Sequence, residues 1–505
     1  MANGMGSLMV GATGLRSSQT ALNTTAHNLS NVNTEGYTRQ QITFADSTYA
    51  NVFSKSLNKG KYGLGVDIDA ISRIRNEFID RSYRTESSRL GFYESQANAV
   101  YEVEDWFGEM QGVTYQQHIT NLYNAVNELT KNPTSTIARS SLIQNATAFI
   151  DRSEAIYSGL KDYQVTLNTE VNNMVEKINS LGQKIYNLNK GIVKVEAEGV
   201  ERANDLRDSR DLALDELSKY IDIDYYETKD GEVIVSAENV PFITKNDIAK
   251  MSVREEGTYG LLIPQWEGYQ QDVYNFDKQA NNANDTDKGK LKGLLIARGV
   301  IEVNYTDIPV MPERADYDLT TEQGMAEYNS AMDAYQQKQD YYNKYIEPSA
   351  ILSAIAGFDK LVNGIVTAMN DVLCPETTMD TTKELTDADG NILKAEKYVY
   401  NASTHDVLYD SHGNVVAGKE NGDGTYSYEA SEKLYVDANQ EETENIDSMT
   451  YKILDMSKAG YGMDDDETRG VELFKRNGTD RYKQITGADG STIYVRNNLN
   501  VTGFE

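Results

Sequence analysis

Histidine, cysteine and serine are the residue types whose spacing could indicate catalysis or metal binding here. No histidine begins the H-E-x-x-H pair that binds zinc from one helix face, and no G-x-S-x-G or glycine-rich phosphate loop is present. A Ser-His-Asp triad would meet only in space, and no motif raises that alternative. The lone cysteine, Cys374, lies before Pro375 without a nearby base, which favours a structural thiol. The four histidines are scattered, at His27, His118, His405 and His412.

Two aspartate-rich segments resemble ion sites only in part. Asp387, Asp389 and Gly390 begin like a calcium loop, but the glycine is at the fourth position rather than the sixth and no glutamate follows at the twelfth. A hairpin turn is the favoured interpretation. The run 464–466 of three aspartates is more typical of a solvated loop. The sequence therefore predicts no catalytic residue, no metal and no cofactor, which indicates a non-enzymatic protein.

Composition limits the partners of the chain. Its 505 residues suggest about three domains, and 39% of them are hydrophobic, enough for several cores. A formal charge of −30 opposes binding to nucleic acid or to an anionic membrane. No run approaches the roughly 18 uninterrupted apolar residues of a membrane span, and the N-terminus lacks the order of a cleaved secretory signal. We therefore expect neither nucleic acid nor membrane as a partner.

Leucines recur every seven residues near the N-terminus. A second series, with Met5, Ala12, Gln19 and Ala26, lies between them. Such spacing predicts a helix with a shallow coiled-coil face, too weakly apolar to be stable alone in water. A partner helix is the favoured interpretation, and packing on the helix's own domain is the alternative. The leucines proposed for this assembly interface are Leu8, Leu15, Leu22 and Leu29.

A turn is predicted directly after this helix. Asparagine and glycine tolerate left-handed backbone and can satisfy the free carbonyls at a helix end. The residues predicted to orient the helix are Asn31, Asn33, Gly36 and Tyr37. Alternating polarity at Ile42 and Phe44, and again after Gly65, predicts short strands.

The strongest periodic pattern lies between Leu160 and Val195, with two interleaved seven-residue series in which Gln164 is the polar exception. It predicts a helix of about 54 Å, part of a long antiparallel bundle whose partner in the same chain could be residues 76–107. The side chains predicted to pack this rod are Leu167, Val171, Met174, Ile178, Leu181, Ile185, Leu188 and Ile192.

One segment resembles a signature shared by the axial rod, hook and hook-associated proteins of bacterial flagella. It is HNLSNVNTEGYTRQQ, from His27, and its Arg39-Gln40 is the form typical of the hook-associated protein 1 (FlgK) family. A second segment, NDLRDSRDLALDELSKYI over 204–221, resembles a helical stretch of the same family, and KGKLKGLLIARG over 288–299 does so less specifically. The resemblance covers roughly residues 1–300 and, weakly, 350–374.

The resemblance implies a structural subunit at the hook-filament junction that self-assembles into an axial ring by coiled-coil packing. It implies secretion through the flagellar type III export apparatus to the extracellular flagellum, and no enzymatic activity. The implied partners are further copies of the chain, hook protein, a second junction protein or flagellin, and an export chaperone. A hook, distal-rod or flagellin-like protein is the alternative within this class, and a secreted enzyme or adhesin domain on a flagellar scaffold is the alternative from another class.

The expected fold is mainly α with β-rich domains, arranged as an elongated multi-domain rod. The expected divisions are an axial helix at 1–35, a strand-turn segment and helical rod at 36–221, a small β-rich portion at 222–290, a returning helical segment with a polar insertion at 291–375, and a variable β-rich outer domain at 376–505. The family's C-terminal partner helix has no counterpart in the heptad pattern of residues 461–505. The favoured interpretation is that the chain is truncated, in which case the chaperone site would be missing. The alternative is that the partner helix comes from a neighbouring subunit.

Overall fold

The structure is a computed structural model, and its description covers most of the chain up to residue 381 and separate stretches beyond. The described residues are 2–52, 60–108, 114–197, 202–257, 260–276, 280–317, 319–381, 419–420, 426–427, 434–435, 442–443, 449–460, 470–475, 480–486 and 490–497. The chain forms two compact units, each built from two stretches of sequence. Unit 1 is Met1–Trp106 with Ser158–Gly357, and unit 2 is Phe107–Tyr157 with Phe358–Glu505.

Helices dominate the described part of the chain, as the sequence predicts. They are α1 (Ala2–Ser30), α2 (Glu77–Phe107), α3 (Tyr115–Lys131), α4 (Thr136–Glu196), α5 (Asn204–Tyr220), α6 (Lys290–Arg298), α7 (Glu322–Tyr341) and α8 (Ala350–Leu373). A π-helical turn, Tyr342–Ile346, extends α7. The architecture is mainly α with several small antiparallel sheets, which confirms the expected fold class.

The strands near the N-terminus are β1 (Gln40–Asp46), β2 (Tyr49–Val52), β3 (Gly60–Gly63) and β4 (Val66–Arg73), paired as β1-β4 and β2-β3. The middle strands are β5 (Ile223–Glu227), β6 (Val233–Ala237), β7 (Val240–Ile243), β8 (Met251–Glu256), β9 (Leu261–Trp266) and β10 (Gln271–Asp272), in two sheets ordered β5-β6-β7 and β10-β9-β8.

The remaining described strands follow α8. They are β11 (Glu376–Thr381), β12 (Lys419–Glu420), β13 (Tyr426–Ser427), β14 (Leu434–Tyr435), β15 (Glu442–Thr443), β16 (Met449–Leu454), β17 (Tyr482–Thr486) and β18 (Thr492–Arg496). Four of them form a sheet ordered β11-β16-β18-β17. The predicted turn at 387–390 and the aspartates at 464–466 lie outside the described residues.

Helix α4 is the element around which unit 1 is built. It is 61 residues long and begins 24 residues before Leu160, where the heptad series begins. Of the predicted rod-packing residues Leu188 is half-buried and the other seven are buried, whereas Val195 at the end of the series is 38% exposed. The seam is therefore covered along nearly all of its length.

Strands as well as helices cover the seam of α4. Three asparagines on α4 each bind the backbone of a strand or of the turn beside it, donating to a carbonyl and accepting from an N–H at 2.8 to 3.1 Å. They are Asn168 with Gly260 and Leu262, Asn179 with Met251, and Asn189 with Val233. Each amide satisfies backbone groups that would otherwise be unpaired where a strand meets a helix.

Helix α2 lies antiparallel to α4 where the end of α2 meets it. The ring of Trp106 rests on Gly159, where a methyl group would clash with it. One turn farther along each helix, burial and then the charge of Glu102 raise the pKa of Tyr163 to about 12. Toward the other end of α2, Phe92 contacts Gly293 of α6. The predicted partner segment thus meets α4 near Gly159, and α6 and the strands pack against the following part of α4, from Gln164 to Asn189.

Unit 2 combines α3, the first part of α4, most of α8 and the four-stranded sheet. The hydroxyl of Tyr115 at the start of α3 lies 3.0 Å from Ser153 of α4, and its ring packs on Phe149. On α8, the amide of Asn370 accepts from the N–H groups of Leu473 and Phe474 and donates to the Phe474 carbonyl. The same kind of asparagine bridge therefore joins a helix to the backbone of a neighbouring segment in both units.

Within the described residues, α8 alone is long and apolar enough to cross a membrane by length and composition. Ile355, Ala356 and Val366 of α8 are buried, and 33% of its most apolar window is buried within the structure. The sequence predicted no membrane span because charged residues interrupt every apolar run. Helix α8 also contains such charges, but its length and mean composition are nevertheless those of a possible span.

Candidate assembly site

Helix α1 has two faces of opposite character. One face carries small polar side chains that bind the backbone of the antiparallel strand pair β1-β4, called the β1-β4 hairpin below. Thr13 donates to the carbonyl of Leu64 at 3.4 Å, and buried Ser17 donates to the carbonyl of Val66 at 3.3 Å. Gly65, with a φ of +116°, lies so close to Thr13 that any side chain there would collide with it. The polar face is thereby fixed against the start of β4.

The opposite face of α1 carries the predicted leucine stripe. Leu8, Leu15, Leu22 and Leu29 are 75%, 74%, 64% and 73% exposed. Seven residues turn an α-helix by nearly two full revolutions, so these side chains form one line along it. A line of exposed leucines this long is costly in water unless another surface covers it. The structure thus places all four predicted interface leucines on one unpartnered face of the described chain.

The turn after α1 is held by Asn28, which the sequence prediction did not select as a site residue. Its side-chain oxygen accepts from the Tyr37 hydroxyl at 2.7 Å and from the Gln40 N–H at 2.9 Å. Its amide nitrogen donates to the Gln40 carbonyl at 2.9 Å. The ring of Tyr37 also meets His27 edge-on, with centroids 5.5 Å apart. Asn28 therefore ties the last turn of α1 to the start of β1.

The other predicted turn residues have smaller roles in the geometry. Gly36 has a φ of +78°, where a side chain is strained, and its Cα faces Leu212 of α5. Asn31 caps the helix by donating to the His27 carbonyl at 3.0 Å and accepting from Thr34 at 3.1 Å. Asn33 is exposed. Three of the four predicted residues thus shape the turn.

An acidic face of α5 holds the β1-β4 hairpin, which in turn supports α1. Asp208 accepts from the Thr38 N–H at 3.1 Å and from Arg73 at 2.8 Å. Arg73 also binds Asp211 at 2.7 Å. Burial acts to raise the pKa of Asp211, but the guanidinium groups around it, with Arg75 first, outweigh burial and lower that pKa.

The same face of α5 also fixes α2. Arg84 of α2 is 3% exposed, and its Nε donates to Asp215 at 2.7 Å. The Nη2 atom of Arg84 lies 3.5 Å from Oδ1 of Asp211. Breaking one member of such a buried network is costly because the remaining charge loses its compensation. α1, the β1-β4 hairpin and α2 are therefore all oriented by one helix.

The signal for this network is present in the sequence. Asp208, Asp211 and Asp215 follow the three- and four-residue spacing that aligns side chains on one helix face. What the spacing does not identify is their partners, because the arginines lie more than 100 residues earlier in the chain. The network joins the two segments of highest family resemblance, 27–41 and 204–221.

The assembly site is an exposed apolar helix face held in a fixed orientation. No group of three or more histidine, cysteine, aspartate or glutamate side chains suited to a metal ion occurs among the residues described. Every acidic side chain named above is paired with arginine or a backbone N–H. The arrangement can present a rigid, uncharged helix face to another molecule.

Comparison with known families agrees with this geometry. Residues 100–331 match the model described as the FlgK helical domain of flagellar hook-associated protein, and residues 8–38, which hold the leucine stripe and the turn, match that of flagella basal body rod protein. Over these two ranges the chain is similar to the FlgK family of flagellar hook-associated proteins and to flagellar rod proteins. The family resemblance read from 27–41 and 204–221 is thereby confirmed.

Individual relatives are similar over part of their length. Flagellar hook-associated protein 1 of Bacillus subtilis strain 168 is 30% identical over 310 residues, 59% of this chain and 61% of that protein. The proteins of the same name from Salmonella typhimurium strain LT2 and Escherichia coli K12 are each 26% identical, over 42% of this chain and 37% and 38% of their own length. The chain thus spans less than two thirds of each relative.

Among solved structures, the flagellar hook junction protein FlgK from Burkholderia pseudomallei is similar with a TM-score of 0.39 and 14% identity. The likeness covers 85% of this chain and 64% of that one.

Proposed function

We propose that this FlgK-family chain is a non-enzymatic structural subunit of the bacterial flagellum that joins the hook to the filament. The observation that carries the proposal is the exposed leucine stripe of α1 on a helix whose other face is fixed by Thr13, Ser17 and Asn28. A helix free to rotate could bury its leucines within the unit. This one cannot, so its leucines are available to neighbouring subunits.

The magnitude of leucine burial favours a polymer over a simple pair. Four leucines buried at about 1.5–3 kcal/mol each give roughly 6–12 kcal/mol gross. Fixing a free molecule to one partner costs an estimated 4–15 kcal/mol. One such contact is therefore weak, whereas a subunit that meets several neighbours in a ring is bound firmly. Assembly would then occur on an existing end of the axial structure.

The proposal includes the partners and the location. The subunit would contact further copies of itself, hook protein on one side, and a second junction protein or flagellin on the other. It would be exported unfolded through the flagellar type III apparatus, with a chaperone, and act outside the cell. Export of this kind suits a chain whose single cysteine allows no intramolecular disulfide.

The test is incorporation of the full chain onto purified hooks. Leu22→Lys and Leu22→Pro should both abolish incorporation, because the first places a charge in the stripe and the second breaks the helix. Asn23→Lys is the matched control, since Asn23 is exposed on the same helix beside the stripe. Circular dichroism and the fluorescence of Trp106 and Trp266 verify that unit 1 remains folded.

Incorporation of Leu22→Lys at the wild-type level would contradict the proposal. So would normal swimming of cells whose copy of the gene has been deleted. Loss of incorporation in Leu22→Lys with retention in Asn23→Lys is the result that supports it.

A further inference from the structure

The hairpin that joins β6 to β7 turns at two residues with left-handed backbone. Glu238 and Asn239 have φ values of 47° and 64°. Asparagine tolerates this conformation, whereas glutamate adopts it at a cost in free energy. The backbone N–H of Glu238 donates to the carbonyl of Asp222 at 3.1 Å, which holds the hairpin tip where α5 leads into β5. Backbone preference therefore does not explain a glutamate at this tip.

The side chain of Glu238 places a carboxyl oxygen in the interior of unit 1. Its Oε1 is buried and accepts no hydrogen bond from the described residues. The hydroxyl of Tyr274, which follows β10, is buried in the same way. Burial first, and then the charge of Glu238, raise the pKa of Tyr274, so the two groups face each other. Such a site favours the neutral carboxylic acid, because a carboxylate would lose its hydration without a compensating bond.

Charged groups on two neighbouring segments face the Glu238 carboxyl. Burial is the largest influence and raises the pKa of this carboxyl to about 7; Lys292 and Lys288 oppose the rise, and Asp222 adds to it. Lys288 lies 3.7 Å from Asp222, and Lys292 donates to the Thr286 carbonyl at 2.8 Å. Within the described residues no ion pair joins either lysine to Glu238, so the carboxylate has no direct partner on α6 or beside it.

We propose that Glu238 is a pH switch: its protonated carboxyl keeps the tip of the β6-β7 hairpin on Asp222, and loss of the proton to water releases the tip. A buried carboxylate gains hydration only when the tip moves outward. The same movement relieves the left-handed backbone of Glu238. This switch goes beyond the proposed function and does not depend on it.

Amide hydrogen exchange of the full chain tests the switch, read by mass spectrometry on peptides that contain residues 236–240. Each rate is divided by the intrinsic exchange rate at the same pH. The Glu238 amide reports release directly, because its hydrogen is bonded to Asp222. A carboxyl whose pKa rises from 4.5 to about 7 should make corrected exchange roughly 20-fold faster at about pH 7.5 than at about pH 5.5.

Two variants and low urea identify the titrating group and the size of the movement. Glu238→Gln should exchange at the same corrected rate at both pH values, whereas Glu255→Gln, at an exposed position in the neighbouring sheet, should behave as wild type. Release of a hairpin tip exposes little surface, so exchange of 236–240 should hardly respond to low urea. Exchange of β9, the central strand of its sheet, should accelerate in urea because it requires a larger opening.

Three outcomes overturn the inference. The first is an equal corrected rate at the two pH values in wild type, a measurement that needs no variant. The second is a pH dependence that persists in Glu238→Gln, which would assign the titration to another group such as Asp222. The third is an acceleration of 236–240 by urea as steep as that of β9, which would mean that the hairpin opens only with the whole unit. None of these outcomes bears on the leucine stripe, so incorporation onto hooks tests the proposed function separately.

Discussion

Glu238 makes the stability of unit 1 depend on pH in a direction opposite to that of most carboxylates. It lies with Asn239 at the tip of the β6-β7 hairpin, at φ values of 47° and 64°. Asparagine is common in such a left-handed turn and glutamate is not. One oxygen of the Glu238 side chain is buried without a hydrogen bond, and the backbone N–H donates to the Asp222 carbonyl at 3.1 Å.

Burial raises the pKa of Glu238 to about 7 from its usual 4.5, opposed by Lys292 and Lys288 and reinforced by Asp222. Buried Tyr274 also faces this carboxyl, which helps to raise the tyrosine's own pKa. The unfolded chain therefore releases the proton first as pH rises. The stabilising contribution is complete below about pH 4.5 and is lost as pH rises through about 7. A shift of this size corresponds to up to about 3 kcal/mol.

Glu238→Gln keeps the shape of the side chain and removes its titration. We expect this variant to gain up to about 3 kcal/mol over wild type between pH 5 and pH 8. Urea unfolding followed by tryptophan fluorescence measures this, because both tryptophans, Trp106 and Trp266, belong to unit 1. Exposed Glu255→Gln in the neighbouring sheet is the control. Parallel stability-pH curves for wild type and Glu238→Gln would refute the reasoning.

Three further predictions concern named contacts in unit 1. Asn28→Ala removes three hydrogen bonds, so the backbone amide of Gln40 should exchange its hydrogen about 30- to 100-fold faster. The control Asn23→Ala should leave the exchange rate of Gln40 unchanged. Equal exchange rates in the two variants would show that Asn28 does not hold the turn. Asn189→Ala leaves the N–H and the carbonyl of buried Val233 without their side-chain partner, so the free energy of unfolding in urea should fall by about 3 kcal/mol. The control at an exposed position, Asn187→Ala, should lower it by less than about 0.5 kcal/mol. The Arg207 guanidinium lowers the pKa of Glu196 to about 2, so the stability that Glu196 contributes is present above about pH 4.5 and is lost as pH falls through about 2. In urea unfolding, Glu196→Gln should therefore be less stable than wild type at pH 7 and equally stable near pH 2. A stability difference that persists in acid would contradict this prediction.

The seven-residue pattern predicted α1 and the main part of α4 because periodicity is a local property. Leu8 to Leu29 lie on α1, and the series from Leu160 lies on α4, where nearly every member is buried. The start of α4 at Thr136 was not predicted, because residues 136–159 do not continue the same two series.

What covers each helix did not follow from the pattern. Heptad spacing suggested a helical partner along residues 160–195 of α4, but strands occupy much of that seam. Asparagines, which local rules treat as turn residues, join the strands to α4. Similarly, Ile79, Leu90 and Val100 of α2 lie outward because serine and glycine on its other face allow closer packing.

The sequence by itself determined the family resemblance, the mainly helical class, the leucine stripe and the turn after it, because each depends on residues close together in the chain. Only the tertiary structure decided that α5 orients α1, the hairpin and α2 through one arginine-aspartate network, since those arginines are far from their aspartates in sequence. It also decided that Asn28 holds the turn and that apolar side chains of α2 face outward. Exposure is a property of the packed unit, and no spacing of residues specifies it alone.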